Sequence, residues 1–159
     1  MPHCRTKTSP KILCLAGPIL PVRITLPSAS MDLGRTPNEV IGTALIDTGS
    51  APTCISKDVV RQLGLKTIGK VNLNSVAGKN EHRLYRVTFA FLYPDMTSAI
   101  PIPDQEVVET DIDDQGLIML IGRDILVDAA FTYDGTTGIW QLQLPRIAAP
   151  SLPEEKPET

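Results

Sequence analysis

The stretch Ala44-Leu45-Ile46-Asp47-Thr48-Gly49-Ser50 constrains this chain more than any other. Three apolar residues run into an acid followed at once by a hydroxyl, a glycine and another hydroxyl, the pattern of a buried strand that delivers a carboxylate to a tight loop. An ionised carboxylate at the end of an apolar strand must find several donors or shift its pKa upward, so chains seldom place one there without a use for it. Taken alone, the same stretch also reads as a plain Asp-Thr-Gly turn between two strands.

A second stretch bears on that choice. Leu117-Ile118-Met119-Leu120-Ile121-Gly122-Arg123-Asp124 is another buried strand, and it runs directly into a helix start expected at Asp124. Its glycine stands where backbone must pass close to something. The two stretches in this order resemble the retropepsin-like aspartic protease family, the single-domain relatives of pepsin.

Length and composition exclude other classes. At 159 residues, 42% hydrophobic and 21% charged, the chain is long enough for one globular core and too short for two. A net charge of −3 provides no basic field for nucleic acid or an anionic membrane, and no apolar run reaches the length of a membrane span. Cys4, Cys14 and Cys54 are an odd count without metal-ligand spacing, and the histidines are His3 and His82, so neither a disulfide framework nor a zinc site is expected. Cys54 reads as a small core residue, with oxidation of its thiol as the other reading. The basic opening before the short apolar run Ile12–Gly17 raises a signal peptide, but the run is too short and no cleavage pattern follows. The default is a reduced, cytoplasmic setting.

Taken in order, residues 1–17 form an N-terminal segment, polar and partly disordered, with a short strand over Lys11–Ala16. Ile19–Leu26 and Glu39–Ile46 read as strands on either side of a loop at Ser28–Asn38. Pro52–Ile55 reads as a strand, and Ser56 caps a helix over Lys57–Leu63 that stops at Gly64. Val71–Val76 and Arg83–Leu92 flank a polar tip, 77–82, as a hairpin. Tyr93–Asp114 reads as solvated loop around one strand, Glu106–Thr110. Its aspartates lack the spacing and terminal Glu of a calcium loop. Leu117–Ile121 is a strand, Asp124–Ala129 a helix, and Phe131–Tyr133 with Ile139–Leu144 a closing hairpin. Residues 145–159 are Pro- and Glu-rich and read as a disordered tail, leaving 18–144 as the domain.

The resemblance implies a mostly β, closed-barrel-like fold with one or two short helices and an active site at a homodimer interface. It implies an aspartic endopeptidase acting on polypeptide, with Asp47 as the catalytic acid and no metal or organic cofactor. Thr48 matches the threonine that locks two loops across the dimer axis, and Gly49 the glycine whose amide faces the carboxylates. Ser50 stands where pepsin-like members often bond a serine to the outer carboxylate oxygen. Ile121-Gly122 looks like the pair packed under the catalytic loop. The hairpin around Val76, Ala77, Gly78 and Lys79 occupies the order of the family's flap, with an ordinary meander turn as its other reading. Where retroviral members carry an acid to pair with the arginine matching Arg123, this chain has Ala51, which leaves Arg123 without an assigned partner. Ile139–Leu144 is the candidate dimer strand, with an ordinary edge strand beside it as an alternative. Two further readings stay open: a catalytically silent dimeric module that binds an extended peptide in the same cleft, and an unrelated β-domain.

Overall fold

Strict alternation builds the first barrel strand. In β2 (Ile19–Thr25), Leu20, Val22 and Ile24 point inward and are buried, while the residues between them face out. A computed structural model describes residues 3–30, 38–75, 78–93 and 99–145. Ahead of β2 lie β1 (His3–Lys7) and α1 (Pro10–Ala16). After it come β3 (Glu39–Ile46), β4 (Cys54–Ser56), α2 (Lys57–Leu63), β5 (Gly69–Ser75), β6 (Gly78–Leu92), β7 (Ala99–Thr110), β8 (Met119–Ile121), α3 (Arg123–Leu126), β9 (Ala130–Asp134) and β10 (Ile139–Gln143).

Hydrogen bonding runs in the order β2-β3-β8-β4-β7-β6, and β6 pairs back to β2, so six strands close a barrel with β5 hanging outside on β6. The core inside it includes Val22, Ile24, Phe89, Phe91, Val107, Met119 and Ile121. Phe89 and Phe91 meet edge to face at 5.4 Å. A separate sheet, β1-β10-β9, carries Trp140 into the core against Phe131. Among the described residues no helix is long and apolar enough to cross a membrane.

Helix α2 has the bounds read from sequence. The Ser56 hydroxyl accepts from the Val59 amide, and Gly64 ends the helix in the left-handed conformation. The start of the chain departs from expectation. Lys11–Ala16 is helix rather than strand, because Ser9 caps the Ile12 amide, Pro10 opens the first turn, and Gly17 stops it at φ 72. Residues 3–7 are not disordered but form β1, paired with β10, and Cys4 and Leu13 join the core.

Residues 99–110 are one twelve-residue strand rather than mostly loop. The prolines are tolerated because over this half β7 pairs only with β6, leaving its other side free of ladder bonds. A register shift between Val87 and Phe89 and a positive φ at Asp104 absorb the extra length, and the Asp104 amide donates to Thr88 Oγ1. The β5–β6 hairpin also differs: β6 starts at Gly78, so residues expected in a loose tip are strand. The tail, 146–159, lies outside the described residues.

Gly138 tests the place of the N-terminus. It turns at φ 72 and accepts from the Thr8 amide at 2.9 Å, and a Cβ there would overlap the Thr8 carbonyl. Gly138→Ala should therefore destabilise the protein by about 1–3 kcal/mol, read as a lower urea midpoint with an unchanged slope.

Candidate active site

The site follows from strand order. The chain leaves β3 at Ile46 and re-enters the sheet at Cys54, yet β8 lies between β3 and β4, parallel to the first and antiparallel to the second. The loop 47–53 must therefore arch over the end of β8. Gly122 stands there in an extended conformation, and a Cβ on it would overlap the Pro52 carbonyl. Close approach, rather than a special φ, requires glycine here.

Backbone bonds fix the arch at three points: Asp47 N to Ile121 O at 3.0 Å, Arg123 N to Ser50 O at 2.9 Å, and Asp124 N to Ala51 O at 3.1 Å. Side chains add a second tier. Thr53, fully buried, receives the Gly122 amide on Oγ1 at 3.0 Å and donates the same hydroxyl to Asp124 Oδ1 at 2.7 Å. The Thr53 amide donates to Asp124 Oδ2 at 2.9 Å, and the Ile125 amide to Oδ1 at 2.9 Å. Arg123 Nη1 donates to the Thr48 carbonyl at 2.7 Å, which gives that arginine its partner where position 51 offers none.

Asp47 is half-buried at the crest of this arch. The Gly49 amide donates to Asp47 Oδ1 at 2.9 Å, and among the described residues Oδ2 has no hydrogen bond. Thr48 and Gly49 are exposed beside it. One carboxylate is thus held by the Gly49 amide at the crest of a loop that backbone bonds tie to β8 and α3. Ile121 is buried beneath it.

One expectation needs correction. The Ser50 hydroxyl donates to the Pro52 carbonyl at 2.7 Å and does not reach Asp47, because the loop turns it inward under Pro52. Cys54 is the core residue read from sequence: it is buried, and that burial pushes its thiol pKa up, reinforced by the Asp124 and Asp47 carboxylates and opposed by the Ser50 hydroxyl, which disfavours a reactive thiol. Val76 and Ala77 lie outside the described residues; Gly78 and Lys79 are exposed at the outer end of the β5–β6 arm. Among the described residues that arm has none buried until Tyr85, whose hydroxyl donates to Glu109 at 3.0 Å at its base.

Sequence reasoning missed Thr53 and Asp124 as loop anchors. A threonine in an apolar run was a visible signal; its acid partner 71 positions away was not.

Residues 35–125, more than half of the chain, match the family model described as aspartyl protease. The chain belongs to the aspartyl protease family. Both stretches that carry the retropepsin-like resemblance fall essentially within this range. Among solved structures, the chain is similar to the simian foamy virus (mac) protease, a solution structure, at 14% identity and TM-score 0.42, covering 69% of this chain and 92% of that one. It is also similar to the EIAV protease complexed with the inhibitor HBY-793, at 20% identity and TM-score 0.43, covering 70% and 86% respectively. No curated protein sequence matches it.

Replacing Thr53 by Val keeps the shape but strips the Gly122 amide and Asp124 of a partner inside the fold. We expect a loss of about 1–3 kcal/mol by urea unfolding, the cost of leaving the buried Gly122 amide unsatisfied.

Proposed function

We propose that this protein is an aspartic endopeptidase that hydrolyses peptide bonds through a water activated by two Asp47 carboxylates, one from each subunit of a homodimer. The observation that carries the reading is the Asp47 carboxylate held by the Gly49 amide at the crest of an exposed loop. Hydrolysis by carboxylates needs one ionised group to take a proton from water and one protonated group to polarise the scissile carbonyl. The chain supplies one such acid, and a two-fold axis supplies the second. Two like charges about 3 Å apart cannot both ionise, so one residue type becomes both acid and base, and the pair titrates as a unit.

In the forward direction the ionised carboxylate takes a proton from water as the oxygen attacks the carbonyl carbon. The neutral carboxyl gives its proton to the carbonyl oxygen, forming a tetrahedral diol. Collapse of the diol breaks the C–N bond while a proton passes to the departing amine, and the pair returns to its singly protonated state. Thr48, exposed beside Asp47, meets the partner's loop. The β5–β6 arm, projecting from the barrel with Gly78 and Lys79 at its outer end, serves as the flap that covers bound polypeptide. The catalytic unit spans 18–144 with β1 and α1 packed onto it, and three free cysteines suit a reducing compartment such as the cytoplasm.

Asp47→Asn should abolish cleavage of an unfolded protein while leaving the urea midpoint nearly unchanged, since the amide keeps the shape and supplies neither acid nor base. Activity in that variant overturns the assignment; an inactive wild type that still binds peptide favours the silent module.

The singly protonated pair exists only between its two macroscopic pKa values, so activity should peak on the order of pH 4–6 and fall steeply by pH 8. With the Ser50 hydroxyl on Pro52 rather than on Asp47, Ser50→Ala should leave the acidic limb of that profile in place.

A further inference from the structure

The shared-carboxylate reading requires a second copy but does not say which surface it meets. The candidate read from sequence, Ile139–Leu144, is excluded by the sheet: β10 is the central strand, with β1 on one side and β9 on the other. In this three-stranded sheet β1 and β9 are the outer strands, and among the described residues β9 pairs with β10 alone. We propose that the second copy docks on the face formed by β9 and α1, the two β9 strands pairing edge to edge across the two-fold axis.

Charge separates the two edges. Pairing β1 with itself about its central residue sets Arg5 opposite Arg5, with Lys7 close by, and like charges directly opposed destabilise a sheet. Pairing β9 with itself about Thr132 sets Thr132 opposite Thr132, Phe131 opposite Tyr133 and Ala130 opposite Asp134. Those are a hydroxyl pair and two aromatic pairs, with no like charges opposed.

Exposed apolar side chains lie on β9, on α1 and on the segments next to them. Of the seven large ones in the described residues, five are Ile12 and Leu15 on α1, Ile19 at the start of β2, Val127 just after α3, and Tyr133 on β9. Leu15 and Val127 are 77% and 76% exposed. These segments are joined to one another and to the catalytic loop. Tyr133 donates its hydroxyl to the Leu13 carbonyl at 3.4 Å, Gly17 lies against Leu45, and the Ile46 amide bonds the Pro18 carbonyl at 3.0 Å, one residue before Asp47. On the other side, three residues separate α3, whose first residue holds the Thr48 carbonyl, from β9. The five side chains expose on the order of 500 Å², and the β9 edge with Thr48 and Gly49 brings this toward the ~800 Å² per partner of a stable interface. The face is therefore continuous with the loop that the second carboxylate must approach.

The test uses the full chain in analytical ultracentrifugation beside the cleavage assay. Thr132→Lys, which opposes two cations across the axis, and Leu15→Glu should each raise the dimer dissociation constant at least about tenfold, with activity per chain falling in parallel on dilution. Ile41→Glu, at a 50% exposed apolar position on the far end of β3, should leave both unchanged. Circular dichroism separates misfolding from dissociation. Thr132→Cys in a Cys14→Ser background should form a disulfide-linked dimer under mild oxidation, a gain that no misfolded chain mimics. If the wild type dimerises but Thr132→Lys and Leu15→Glu do not weaken it, and Thr132→Cys does not cross-link, the face is wrong and the shared-carboxylate reading stands. A wild type that cleaves as a monomer overturns both, and one that is monomeric and inactive overturns the docking face.

Discussion

The placement of β8 between β3 and β4 is the constraint on which this structure depends. Consecutive strands normally pair with each other, and here a strand from much later in the chain separates them. The connection cannot be a hairpin; it must arch over a foreign strand end, and the arch needs anchors that a hairpin finds in its own ladder. Thr53 and Asp124 are those anchors. Each is polar, each saturates the other, and between them they satisfy the amides of Gly122 and Ile125 at the start of α3. The barrel, the loop and the helix are held by one small set of hydrogen bonds.

That arrangement explains the division of labour among neighbouring residues. Gly122 has no side chain because the arch passes within contact of its Cα. Arg123 extends forward to the Thr48 carbonyl, tying down the exposed side of the loop, while Asp124 reaches back to its buried side. Asp47 is left between these two restraints with one oxygen held and the other without a hydrogen bond among the described residues. A carboxylate positioned this way costs little further ordering when a reactant arrives, the condition under which preorganised groups act best.

Much of this was legible in the chain. The Asp47 loop announced itself because an acid at the end of an apolar strand has few benign explanations, and α2 because Ser56, the Val59/Val60/Leu63 stripe and Gly64 all point one way. Helix α1 was misread because Ile12–Ala16 is too short for its periodicity to be diagnostic; the cap at Ser9 and the proline after it were the better signal. Strand β7 was hidden by Pro101 and Pro103, which argue against a strand only where both edges are paired. The Thr53–Asp124 anchor, the turning of Ser50 toward Pro52 and the pairing of β1 with β10 are tertiary facts. Each joins a side chain or strand to a neighbour that local pattern does not select.

The inserted strand also sets a clock on synthesis. Asp47 has no fixed position until Met119–Gly122 has been made and has entered the sheet, and β1 has no neighbour until Ile139–Gln143 follows. At ~5–20 residues per second, the acid waits on the order of ten seconds after it is polymerised before its loop can close. A nascent chain therefore carries its acid on an open loop, and the step that completes the barrel is also the step that gives Asp47 a fixed place.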